Sequence, residues 1–299
     1  MKDLYASDAL GADNSDVSAQ FGGPGMRHSI RPRRTVIDHE DEFDGDLASE
    51  ETLPTAAPAV SRYIGDDRAR RWQDLPIATP GPGGDMPLVD DHRNSAAARA
   101  FDLLRTRLRQ TTLEHRWVNI AVTAPTSGCG NSFSATNLAL SLSRVPGSRT
   151  VLMDMNMRSP GLARAFDLQA PGAMSDLLSG RADLGNGMLR VSDTLALGLN
   201  DQAEVNAAEI LQDSATAETL LRLRASLQPE IVLYDMPPML EHDDLSAFLP
   251  QLDGVLLISD GTQTMARHLR ECERMLEGQV PLLGIVLNRA RASSLPKYA

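Results

Sequence analysis

Short apolar runs alternate with helical stretches from about residue 94 onward. The runs WVNIAVTA (117–124), TVLMDM (150–155), TLALGL (194–199), EIVLYDM (230–236), GVLLISD (254–260) and LLGIVLN (282–288) have the length and composition of buried strands. Ahead of them, SAAARAFDLLRTRLRQ carries helical periodicity behind Asn94 or Ser95, either of which suits an N-cap. Further helices are expected over 131–144, 160–167, 173–179, 206–227 and 264–277. In the last of these Met265, Leu269, Cys272 and Leu276 share one face, which should pack on a sheet and make Cys272 a core residue. Strands that are apolar almost throughout, separated by helices, predict an α/β domain whose mostly parallel sheet has helices on both faces.

Residues 1–92 have a different texture. They hold 8 of the 18 prolines, 9 of the 22 glycines, and 18 Asp/Glu against 9 Lys/Arg. Low hydrophobicity with high net charge predicts a disordered acidic N-terminal arm. Within it the basic block RHSIRPRR (27–34) is followed closely by DHEDEFDGD (38–46), either a docking segment or part of a solvated tail. The expected layout is an arm over 1–92, one folded domain over 93–292 and a short tail over 293–299.

Charge and residue counts remove several function classes. The net charge of −11 disfavours sequence-independent nucleic-acid binding, which needs clustered Lys/Arg. Two cysteines, Cys129 and Cys272, without metal-ligand spacing point to a reducing compartment and no disulfide framework. The six histidines form no ligand pair. No apolar run reaches the ~20 residues of a membrane span, and no secretory leader is evident, so a cytoplasmic location is expected.

The candidate chemistry starts at VTAPTSGCGNSFSATNLALSL (122–142), which joins the first central strand to a helix. Helix N-terminal N–H groups favour anions there, and Gly128 and Gly130 let the backbone wrap a phosphate closely. Ser132 stands where a hydroxyl would hold Mg²⁺, but Asn131 stands where a phosphate-binding loop has lysine. On this stretch alone a plain glycine-rich turn fits equally well. Two further stretches favour a phosphate site: VLMDMNMRSPGLARAF (151–166) ends a strand on Asp154, and IVLYDMPPML (231–240) ends another on Asp235. Carboxylates at the carboxyl ends of parallel strands lie at the usual ligand crevice and can bind Mg²⁺ or its waters.

In this order, with GAMSDLLSG (172–180), AAEIL (207–211), DMPP (235–238), DGVLLI (253–258) and GIVLNR (284–289), the motifs resemble the cytoplasmic tyrosine kinases of bacterial capsule and exopolysaccharide systems. That family shares a P-loop NTPase branch with the cell-division and partitioning ATPases that carry deviant Walker motifs. The resemblance covers roughly 93–292, and the stretch around Pro160 separates it from the partitioning ATPases. It implies ATP or ADP with Mg²⁺ as cofactors and nucleotide contacts from Ser127, Gly128, Cys129, Gly130, Asn131, Ser132, Phe133, Asn288 and Arg289. It implies Mg²⁺ ligation by Ser132, Asp154 and Asp235. It places Asn131, Asp154 and Asn156 at the catalytic positions.

The chain departs from that pattern where charge matters. Asn131 replaces the lysine, and Asn156 replaces the aspartate that would serve as base. The helix motif expected as Glu, Arg, Arg reads Arg99, Asp102, Arg105, and the C-terminal stretch RASSLPKYA carries Tyr298 alone. The expected function is therefore that of a kinase-like protein with impaired phosphotransfer. It would act in regulation or assembly beside an inner-membrane polysaccharide co-polymerase or export protein, as a homo-oligomer or with an intact paralogue. Three alternatives stay open: an active autokinase using another cation such as Arg158, a positioning ATPase, and a nucleotide-free scaffold.

Overall fold

Alternate side chains along each central strand go to opposite faces of one sheet, as a period of two requires. Ile120, Val122, Leu152, Leu233, Leu256 and Ile258 enter one core. Ala121, Val151, Met153, Val232, Tyr234 and Leu257 enter the other. The computed structural model describes residues 72–81, 84, 86–89 and 93–290. In chain order the elements are α1 (Ala96–His115), β1 (Asn119–Thr123), α2 (Asn131–Ser143), β2 (Thr150–Asp154), α3 (Leu162–Ala165), α4 (Met174–Leu178) and α5 (Leu184–Gly187). They continue with β3 (Leu189–Arg190), β4 (Leu195–Gly198), α6 (Ala207–Gln212), α7 (Ser214–Leu227), β5 (Ile231–Asp235), α8 (Asp244–Phe248), β6 (Gly254–Asp260), α9 (Ala266–Leu276) and β7 (Leu282–Asn288).

The seven strands run in the order β3-β4-β2-β5-β1-β6-β7. Every pairing among β4, β2, β5, β1, β6 and β7 is parallel, and only the edge pair β3–β4 is antiparallel. α1, α2 and α3 cover one face, while α4 and α6 to α9 cover the other. The six strands read from the sequence are all present. β3, α5 and α8 were not expected. The helix expected over 206–227 is two: Asp213 is extended and its side chain accepts the Ala215 N–H at 2.9 Å, capping α7 and ending α6.

Ser95 caps α1 by accepting the Ala98 N–H at 3.0 Å. Asp102 on α1 turns inward and accepts from Ser141 Oγ at 2.7 Å and Arg144 Nη1 at 3.0 Å, so it ties α1 to α2.

The packed unit begins before residue 93. Trp72 and Leu75 are buried among the core side chains, and the Arg149 guanidinium lies 5.8 Å from the Trp72 ring centroid. Ala78 N–H donates to the Arg190 carbonyl at 2.9 Å and Arg190 N–H to the Pro76 carbonyl at 2.7 Å, which covers the β3 edge. Val89 is buried and its N–H donates to Asn137 Oδ1 at 2.7 Å. Gly84 lies so close to α3 that an added Cβ would sit 2.4 Å from the Ala165 carbonyl oxygen. Among the described residues, a strap from Trp72 onward thus lies ahead of the boundary expected at residue 92. Its anchors are single apolar residues spaced among Pro and Gly, which give no periodicity. The charge blocks at 27–34 and 38–46, Tyr5, Tyr63 and the whole tail over 293–299, Tyr298 included, lie outside the described residues.

Candidate phosphate and metal site

β1 ends in the middle of the sheet, with β5 and β2 on one side and β6 on the other. The chain leaves β1 through residues 124–130 and enters α2. Gly130 caps α2 with φ at 90°, a left-handed value that favours glycine. A Cβ there would also sit 2.3 Å from Asn288 Nδ2. Gly128 is left-handed too, with φ at 80°.

The loop is braced from β7 and its exit. Asn288 Nδ2 donates to the Cys129 carbonyl at 2.9 Å, and Arg289 Nη1 donates to the Gly128 carbonyl at 2.8 Å. The same Arg289 nitrogen pairs with Asp260 at 2.6 Å. Burial opposes ionisation of Asp260, but bonds from Thr262 and Arg289 hold its carboxyl below the usual range. Cys129 is buried; desolvation alone would raise its thiol, yet hydrogen bonds from Thr264, Gln263 and Thr126 bring it lower. Phe133 turns its ring into the α1–α2 contact, edge-on to Phe101 at 5.9 Å.

Strand register places the two motif carboxylates side by side: Asp154 at the end of β2 pairs with Asp235 at the end of β5. Both are fully buried. Asp154 Oδ2 accepts the N–H groups of Gly161 and Leu162, each at 3.0 Å. Asp154 Oδ1 and Asp235 Oδ2 have no hydrogen-bond partner. Desolvation pushes Asp154 up to about 7, against the bonds it accepts from the backbone. Desolvation and then the charge of Asp154 push Asp235 well above the usual carboxylate range, against bonds from Ser132 and Asn131. Two buried carboxylates with orphaned oxygens fit a divalent cation, because Mg²⁺ commonly takes one or two carboxylates and completes its shell with phosphates and water. Among the described residues no cluster of three or more His, Cys, Asp or Glu side chains could hold a metal, so a purely protein-built cage is not offered.

Asn131 is buried, and its amide nitrogen donates to Asp235 Oδ1 at 3.2 Å and to the Met236 carbonyl at 2.8 Å. Where a lysine would extend toward phosphate, this side chain is folded onto the strand-end carboxylate. Asn156 is half-buried and lines the cleft with Ser127, Gly128, Asn131 and Ser132. The cleft measures ≈ 360 Å³.

Three acidic residues beyond the motifs shape the site. Glu241 accepts the Ser127 N–H at 2.7 Å and also the Ser127 hydroxyl. Burial opposes its ionisation, but the two Ser127 bonds outweigh that and hold the carboxyl low. Asp244, with its side chain 0% exposed, receives Arg158 as a fork: Nε at 2.9 Å to Oδ2 and Nη2 at 2.8 Å to Oδ1. Arg158 Nη1 also donates to the Val205 carbonyl at 3.1 Å. Asp243 lies 3.7 Å from the same guanidinium. The run EHDD (241–244), two residues after DMPP, was the available signal for these residues, since it sets acids against a predicted anion site.

No family model matches the chain. Among curated relatives it is 30% identical over 191 residues to the putative tyrosine-protein kinase EpsB of Ralstonia nicotianae, across 62% of this chain and 24% of that protein. It is 24% identical over 207 residues to the tyrosine-protein kinase YwqD of Bacillus subtilis, across 68% of this chain and 86% of that protein. The chain therefore spans about a quarter of the length of the EpsB relatives and most of YwqD. Among solved structures, the kinase domain of Escherichia coli tyrosine kinase ETK superposes with a TM-score of 0.64 at 18% identity, over 77% of this chain and 93% of that one. The chimerical protein CapA2B2 gives 0.62 at 22% identity, over 72% and 95%. These two structures share the fold of this chain. Its sequence relatives are named bacterial tyrosine-protein kinases, EpsB, YwqD and CpsD among them, and this chain is similar to them over roughly two thirds of its length.

Proposed function

We propose that this kinase-like protein binds ADP or ATP with Mg²⁺ but transfers phosphate poorly, and that it acts in regulation or assembly of a polysaccharide export system. One observation carries the reading: the Asn131 amide is spent on Asp235 and Met236, so the loop presents no cation from the lysine position. Asn156 adds to this, since an amide cannot accept the proton of an attacking hydroxyl. Removing one preorganised charge-stabilising group typically costs ~10²–10³ in rate. Loss of a general base typically costs a further ~10²–10⁴, though losses within one site need not add.

The backbone of the loop supports binding. Gly128 and Gly130 hold the conformation that a phosphate cradle needs, and Asn288 and Arg289 fix it. Ser132, Asp154 and Asp235 would hold Mg²⁺ or its waters, and the metal would neutralise phosphate charge. The missing lysine should weaken ATP more than ADP, because the γ-phosphate carries the extra anionic charge. The proposed location is cytoplasmic, at the inner membrane through a polysaccharide co-polymerase or export protein; no helix of the described residues is long and apolar enough to cross a membrane.

Calorimetry with ADP and ATP, with and without Mg²⁺, tests the reading together with a phosphotyrosine assay. The expected result is Mg²⁺-dependent ADP binding and little hydrolysis or autophosphorylation. Strong phosphotyrosine that disappears in Asp154→Ala would overturn it. A nucleotide-free scaffold is the second reading, favoured by Glu241, which already sits on a loop N–H; no heat with either nucleotide would select it.

A further inference from the structure

We propose that Arg164 supplies the phosphate-facing cation that the loop lacks. The proposal rests on the nucleotide reading above and names the residue that makes such binding workable. Lys2 and Lys297 are the only lysines and both fall outside the described residues, so among the described residues a replacement cation is an arginine or a histidine. Two arginines line the cleft beside Asn131, Ser132 and Asn156: Arg158 and Arg164. Arg158 is committed, because Asp244 and the Val205 carbonyl take its guanidinium nitrogens. Arg289 braces the loop through Nη1, which bonds Asp260 and the Gly128 carbonyl, and its side chain is not among those that line the cleft.

Arg164 differs from both. It is exposed on α3, and its guanidinium has no hydrogen bond or ion pair among the described residues. α3 itself is anchored: Leu162 and Ala165 are buried, and Asp154 accepts the Leu162 N–H. The helix that carries the unpaired guanidinium is thus tied to the same carboxylate that would hold Mg²⁺. A guanidinium with free donors on the wall of a cleft suits the paired oxygens of a nucleotide phosphate. The ligand class is a nucleoside di- or triphosphate, with Arg164 bonding its terminal phosphate.

Calorimetry with MgADP on the full chain, its Arg164→Gln and Arg164→Lys forms, and the Asn131→Lys,Arg164→Gln double variant tests this. Arg164→Gln should weaken MgADP about tenfold or more, while Arg164→Lys keeps most of the affinity. The melting temperature without nucleotide should not change, because the side chain is exposed. Asn131→Lys should restore more affinity in the Arg164→Gln background than in the parent. Equal MgADP affinity in parent and Arg164→Gln overturns the proposal and leaves the nucleotide reading standing. No MgADP binding by the parent overturns both. If Arg164→Gln also lowers the melting temperature, the double variant decides: regained affinity supports a phosphate role, and none overturns it.

Discussion

The strand ends and the loop, a few ångströms of fold apart, have opposite needs. At the ends of β2 and β5, Asp154 and Asp235 keep buried oxygens without partners, an arrangement that calls for a cation. In the loop, the chain has filled the positions from within: Asn131 bonds Asp235 and Met236, and Glu241 holds Ser127. In the function proposed above, the strand ends keep the groups that would hold a metal, while the loop side chains are occupied by bonds within the protein. The difference shows that backbone geometry and side-chain charge can diverge in one site, since glycine conformation and strand register do not depend on which side chain stands at position 131.

The largest expected effect is on the strand-end side. Arg158→Ala leaves the buried Asp244 without its partly exposed partner, and loss of hydrogen bonds to a charged group costs ~1.5–3 kcal/mol. Urea unfolding monitored by circular dichroism would show it as a lower midpoint with unchanged slope. A loss below about 1 kcal/mol would mean that Asp244 finds water or another donor.

Restoring the loop comes next. Asn131→Lys with Asn156→Asp should raise ATP turnover by ~10²–10³ over the parent, and by more than either change alone. Single-turnover hydrolysis measures it. No gain in ATP affinity from Asn131→Lys alone would show that the loop is not arranged as a phosphate cradle.

A smaller effect concerns pH. Asp154 titrates near 7 when folded and near its ordinary value when unfolded, so it keeps a proton in the native state that the unfolded chain has released. That proton stabilises the fold below about pH 4, and the stabilisation is lost as pH rises through about 7. In EDTA the melting temperature should therefore fall between pH 5 and 8, and Asp154→Asn should flatten the fall. Mg²⁺ should raise the melting temperature more at pH 8 than at pH 6, because it binds the ionised pair. An identical pH profile in Asp154→Asn would place the titration elsewhere.

The smallest effect is at Glu241. Its contact with Ser127 is exposed, and exposed charged contacts contribute ~1 kcal/mol or less. Glu241→Gln should tighten MgADP by a few-fold in calorimetry, with the gain shrinking in high salt. Unchanged affinity would show that phosphate displaces the carboxylate at no cost.

Local pattern settled much of this protein. Short, almost wholly apolar runs marked the six parallel strands, and the motif order placed the loop before α2 and the two aspartates at strand ends. The burial of Cys272 on α9 followed from helical spacing alone. These features depend on residues near one another in the chain, where a period of two or 3.6 leaves a visible trace. Tertiary structure decided the rest. Asn131 meets Asp235 across 104 residues, Ser127 meets Glu241 across 114, and Arg158 meets Asp244 across 86. No periodicity encodes such pairs, so the sequence shows an asparagine at position 131 but only the packed strands show what its side chain bonds. The strap from Trp72 is of the same kind, since its isolated apolar residues gain meaning only against the sheet edge and α3 that receive them.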